Sequence, residues 1–184
     1  FARTGLDTQA FQDLSRSFSL DFKLSEFFLW RGRLAHLLGR EDDADSDFRQ
    51  AIHLATENAI YYAYYADFQR SLGKYPSAAV NLGQAIRLDP DLAVARHFQG
   101  LLLYDLGLFP ESIRAFDHAL NLDPDLADAY KSRSEAKRQM ALFARTGLDT
   151  QAFQDLSRSF SLDFSVSEFF LWRGRLAHLL GRED

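Results

Sequence analysis

An all-α solenoid of helix-turn-helix units is the fold class this sequence predicts, on three observations. Residues 1–42 return as residues 143–184 with 40 of 42 positions identical, only Lys23-Leu24 against Ser165-Val166 differing. The chain is thus one 142-residue unit followed by the start of the next. Inside the large unit a 34-residue step recurs: Asp89-Pro90 returns as Asp123-Pro124, Leu72-Gly73 as Leu106-Gly107, and Tyr75-Pro76 as Phe109-Pro110. All four prolines, with Gly39, Gly73 and Gly107, fall where a helix has to begin or end. Self-similarity at a fixed offset marks units that bury apolar faces against their neighbours instead of closing a private core.

The elements follow in order. Residues 1–24 supply an orphan second helix over 8–21, and 34-residue repeats follow at 25–58, 59–92 and 93–126. Helix 25–38 stops at Gly39, which suits the left-handed residue after a helix end. The acidic run Glu41 to Asp47 complements the positive end of helix 43–55. Helix 59–72 stops at Gly73, and Pro76 stands in the first turn of helix 76–88, where no backbone donor is lost. Helix 93–106 and helix 110–122 repeat that arrangement with Gly107 and Pro110. A fourth, atypical 40-residue repeat spans 127–166, with helices 127–145 and 149–162, and an orphan first helix over 167–180 lies within 167–184. In the frame of Tyr130 the apolar positions fall on Arg133 and Lys137; counted back from Gly147 they fall on Ala136, Met140 and Phe143. A helix about six residues longer than its neighbours reconciles the two frames, because 136, 140 and 143 share a face. One such long helix per 142-residue unit is expected, with a local change of superhelix pitch.

Counted from the start of each repeat, position 8 is Gly32, Ala66, Gly100 and Ser134, and position 15 is Gly39, Gly73 and Gly107. Position 20 is Ala44, Ala78 and Ser112; position 24 is Phe48, Leu82 and Phe116; position 27 is Ala51, Ala85 and Ala119; position 32 is Thr56, Pro90 and Pro124. Small residues at 8, 20 and 27 let helix backbones approach, while large ones at 4 and 24, such as Phe28, Tyr62, Phe48 and Phe116, fill the space beside them. In these residues the chain resembles the tetratricopeptide repeat family along its whole length. That resemblance implies a right-handed superhelix and a non-enzymatic scaffold for protein-protein interaction. It departs from the family at position 7, where Arg31 and Arg173 replace the usual apolar residue.

Composition narrows the function. With 47% hydrophobic and 26% charged residues, and no apolar run near the roughly 20 residues that span a bilayer, membrane insertion is not expected. A net charge of -5 disfavours nucleic acid as a partner. Absence of cysteine removes disulfides and thiolate sites, and suits a reducing cytoplasm and a periplasm equally. The start at Phe1 reads as a piece of a longer array. The histidines His36, His53, His97, His118 and His178 lack the spacing of a metal motif, and Glu41 to Asp47 lacks the glycine and terminal Glu of a calcium loop. No catalytic residue, metal or cofactor is expected. Lys131, Arg133, Lys137, Arg138 and Arg145 against Glu135 form either a docking stripe for an acidic partner or the solvated face of a long helix.

The resemblance further implies a concave groove lined by the first helices, holding a peptide or partner helix. Positions 2, 5, 9 and 12 there read Glu26, Leu29, Arg33 and His36; Ile60, Ala63, Asp67 and Arg70; Val94, His97, Leu101 and Tyr104; Asp128, Lys131, Glu135 and Arg138. The family's clamp for chaperone tails, a Lys and Asn set, has no match at these positions. Position 6 reads Trp30, Tyr64, Phe98 and Ser132, then Trp172, either an aromatic ladder for a ligand or packing between first helices. At the ends, Phe11, Leu14 and Phe18, and Phe169, Phe170, Trp172, Leu176 and Leu179, offer apolar stripes. They predict self-association of uncapped ends into a homo-oligomer, head to tail or as a two-fold dimer, which light scattering across concentrations would detect. The alternatives are therefore a self-assembling structural solenoid or an accessory array of a larger enzyme or exporter.

Overall fold

The computed structural model describes residues 24–145, and the end stripes Phe11, Leu14, Phe18, Phe169, Phe170, Trp172, Leu176 and Leu179 lie outside them. Seven helices make up the described residues: α1 (Leu24–Leu37), α2 (Glu41–Leu54), α3 (Ala59–Ser71), α4 (Tyr75–Leu88), α5 (Ala93–Asp105), α6 (Phe109–Leu122) and α7 (Ala127–Arg145). They pack as antiparallel pairs α1 with α2, α3 with α4 and α5 with α6, and α7 closes on α6. The first helices also touch in series, α1 to α3, α3 to α5 and α5 to α7. This is the all-α solenoid expected from the 34-residue step. The long helix also appears: α7 runs 19 residues where its neighbours run 13 or 14.

Turn chemistry repeats with the sequence. Gly39, Gly73 and Gly107 have φ of 71°, 71° and 78°, and a Cβ added there would meet nothing within 4 Å. In each case the residue after the glycine donates its N–H to a carbonyl five residues back, Arg40 to Ala35, Lys74 to Gln69 and Leu108 to Leu103, all at 2.9 Å. These closures satisfy carbonyls that a helix end leaves without partners. Pro76 and Pro110 stand in the first turns of α4 and α6. Before Pro90 and Pro124, the carboxylates of Asp89 and Asp123 accept the N–H of Asp91 at 3.1 Å and Asp125 at 3.0 Å, so the same turn is built twice.

The core is a series of small-against-large contacts. Ala35, Ala44, Ala51, Ala66, Ala78 and Ala85 are fully buried, and Phe48, Phe68 and Phe116 are at most 2% exposed. Phe48 lies 5.3 Å from the Phe68 ring and 5.8 Å from that of Tyr65, which carries the packing from α2 into α3. Arg31, the departure at position 7, is answered by Asp47 on α2. The guanidinium Nε donates to Asp47 at 2.7 Å and a second N–H completes a two-pronged pair, with the carboxylate only 4% exposed. The cation also lies 5.0 Å and 5.1 Å from the Phe27 and Phe28 rings. Expected packing along α7 is met by Ala136, which is buried, whereas Tyr130 and Met140 are 47% and 40% exposed.

Candidate functional site

The first helices α1, α3, α5 and α7 wall a cavity of about 600 Å³. The 34-residue step brings position 9 of four repeats into it as Arg33, Asp67, Leu101 and Glu135, joined by His36, Tyr64, His97, Phe98, Tyr104 and Lys131. Val94, Asp128 and Ser132 line it as well, and so do Leu37, Phe48, Phe68 and Leu126, which the spacing does not single out. Seven residues expected in the groove stand elsewhere. Leu29 is 3% exposed and belongs to the core with Ala35, Phe48 and Tyr61, and Ala63 at the same position is fully buried, whereas His97 and Lys131, also at position 5, line the cavity. Glu26, Trp30, Ile60, Arg70 and Arg138 lie beyond the cavity lining.

Arg70 is a strut. Its guanidinium holds Asp67 at 2.9 Å and Asp105 on the next first helix at 2.5 Å. Position 12 of the first two repeats reaches the next repeat at one spacing: His36 Nε2 meets Ser71 Oγ at 3.2 Å and Arg70 reaches Asp105, whereas Tyr104 reaches α7 through Glu135 at 3.3 Å. Chemistry differs between the first two joints while their geometry is shared. Sequence reading missed these struts because a His-Ser and an Arg-Asp pair do not look like repeats of one another; their common spacing, one repeat plus one residue, was the available signal.

The charges around the cavity are unevenly compensated. Glu135 receives hydrogen bonds from Arg138, Gln139 and Tyr104, and the first two hold its carboxyl down at about 2. Asp67 is tied to Arg70. His97 is 7% exposed, against the Phe116 ring at 5.6 Å and with Nε2 3.2 Å from Ser132 Oγ. Burial pushes its pKa below the ordinary value, against the pull of Asp128 and Asp67. On the basic stripe, Arg133 pairs with Asp117 at 2.5 Å and Arg138 with Glu135 at 2.5 Å, while Lys131 and Lys137 are exposed charges.

The position-6 aromatics grade from surface to core. Trp30 is 44% exposed, Tyr64 half-buried and Phe98 8% exposed, with the Tyr64 and Phe98 rings edge to face at 5.4 Å. The Arg33 guanidinium carbon lies 4.5 Å from the Trp30 ring centroid and 4.1 Å from that of Tyr64. Among the described residues no group of three His, Asp or Glu is placed to hold a metal ion, and no helix is long and apolar enough to cross a membrane.

The sequence matches no family model and no curated protein, whereas many solved structures share its fold. The Arabidopsis OM64 TPR domain aligns with a TM-score of 0.56 at 24% identity, covering 62% of this chain and 95% of its own. The first TPR of Spaghetti (RPAP3), bound to HSP90 peptide SRMEEVD, aligns with a TM-score of 0.57 at 17% identity over 66% of this chain and 96% of its own. MamA aligns over 99% of this chain and 95% of its own, with a TM-score of 0.56 at 18% identity. With the 34-residue motif, the paired helices and this likeness in agreement, the described part of the chain is a stack of tetratricopeptide repeats.

Proposed function

We propose that the chain is a non-enzymatic protein-interaction scaffold that holds a peptide or partner helix in the groove of its first helices. The observation that carries this reading is the cavity of about 600 Å³, whose lining combines the apolar Val94, Phe98 and Leu101 with the charged Arg33, Asp67, Lys131 and Glu135. A partly apolar lining with a few polar groups suits recognition. A peptide seated in the RPAP3 domain is consistent with it. The ligand differs from a chaperone tail, because positions 5 and 9 of the first three repeats offer Leu29, Arg33, Ala63, Asp67, His97 and Leu101 in place of a Lys and Asn set.

The test is selection from a random-peptide display library on the full chain, followed by affinity measurement on two variants. Leu101→Arg places a charge in the cavity lining, while Val80→Arg alters an exposed residue of α4 outside the cavity. Binding that falls by at least about tenfold in the first and stays unchanged in the second supports the groove. Equal binding by both variants would refute it.

A further inference from the structure

Arg33 is held unlike the other arginines around the cavity. Arg70 and Arg138 each grip a carboxylate, and so do Arg31 and Arg133 on the neighbouring faces. Among the described residues no carboxylate stands within ion-pair distance of Arg33; its guanidinium carbon instead lies 4.5 Å from the Trp30 ring centroid and 4.1 Å from that of Tyr64. A guanidinium in contact with rings keeps its charge, and that contact does not use up its N–H donors, which lie in its own plane. Arg33 also lines the cavity.

Charge around the cavity is mixed, and Arg33 is where a cation is left to meet an anionic side chain. Of the lining carboxylates, Asp67 shares the single Arg70 cation with Asp105, and Glu135 is paired with Arg138 and accepts a further hydrogen bond from Gln139. Asp128 stands without such a partner among the described residues, on the α7 side beside His97. Opposing it are Arg33 and Lys131, neither paired with a carboxylate among the described residues. A chain terminus would need donors converging from several repeats, yet positions 5 and 9 of the next two repeats present Ala63, Asp67, His97 and Leu101. One planar donor edge suits one side-chain carboxylate, gripped by two parallel N–H bonds.

We propose that the groove selects a peptide with an acidic side chain at an internal position, and that the Trp30, Arg33 and Tyr64 stack is the anchor for that side chain. This rests on the groove being the binding surface. The experiment begins with peptides selected from a random display library on the full chain, sequenced and resynthesised with the acidic residue as Glu or Gln and with the C-terminus free or amidated. Expected are enrichment of Asp and Glu, a loss of at least about tenfold for the Gln peptide, and no change on amidation. In Arg33→Gln the preference for Glu over Gln should vanish, and in Arg33→Lys, which keeps the charge without the fork, it should shrink. Thermal melts of both variants check that the stack is folded, and the Glu-to-Gln comparison on unaltered protein needs no variant at all. Selection without acidic enrichment, a preference that survives Arg33→Gln, or sensitivity to amidation overturns the anchor. If the selected peptides also ignore Leu101→Arg, the groove reading itself fails, which is a separate result.

Discussion

Position 8 and position 24 covary inside this one chain. The pairs are Gly32 with Phe48, Ala66 with Leu82, and Gly100 with Phe116, so a residue with a Cβ appears only where the opposing ring is absent. Geometry explains the third pair. A Cβ at Gly100 would stand 2.5 Å from Cδ1 and 2.9 Å from Cζ of Phe116, a ring that is 0% exposed and has nowhere to move. Gly100→Ala should gain about 1 kcal/mol of helix propensity and lose about 1–3 kcal/mol to overpacking, a net destabilisation. Phe116→Leu alone should cost about 1 kcal/mol or more through lost packing. Made together, they reproduce the Ala66 and Leu82 pair, and the loss should be smaller than the sum, with a coupling of about 1–3 kcal/mol. Urea unfolding of the two single variants and the double variant, followed by circular dichroism, measures the cycle. Gly32→Ala is the control, since its Cβ would meet Asp47 Cβ at 3.2 Å and Phe48 no closer than 3.5 Å. Additive losses within about 0.5 kcal/mol would refute the packing account.

Further outcomes test other parts of the structure. His97 is buried with its pKa below 6.5, so the unfolded chain takes up the proton first as pH falls. Stability from this group is full above about pH 6.5 and declines below it; melting temperature should therefore fall less steeply on acidification in His97→Asn, and parallel curves would count against the reading. Gly73→Ala should cost about 1–2 kcal/mol from the left-handed backbone alone, and Gly73→Asn less, in chemical denaturation. Asp47→Ala removes the two-pronged partner of Arg31 on α2 and should cost about 2–3 kcal/mol, discounted because the guanidinium is partly solvated. Adding Arg31→Leu should restore part of it, and no restoration would show that the ion pair is not the cause.

Helix order and boundaries were legible because they depend on residues close in sequence: Gly73 and Gly107 end helices by their backbone freedom, and Pro76 and Pro110 begin them. The length of α7 was legible from a conflict, the two frames set by Tyr130 and Gly147. Most of the residues expected around the groove do line the cavity. Leu29 does not, since a face assignment copied from repeat to repeat ignores which seam a position turns into once neighbouring first helices touch. Asp47 as partner of Arg31, and the two rings beside Arg33, were illegible for a different reason. Each joins residues from two packed helices and depends on side-chain reach across the contact.

The struts beside the cavity also make the stack a spring with unequal coils. Straightening it separates neighbouring first helices, and each joint resists according to its own chemistry: a hydrogen bond of His36 with the Ser71 hydroxyl between α1 and α3, an ion pair of Arg70 and Asp105 between α3 and α5. Dissolved salt screens the second and leaves the first nearly untouched. Raised ionic strength would therefore soften the middle coil before the outer one, and the curvature offered to a partner would depend on the medium joint by joint.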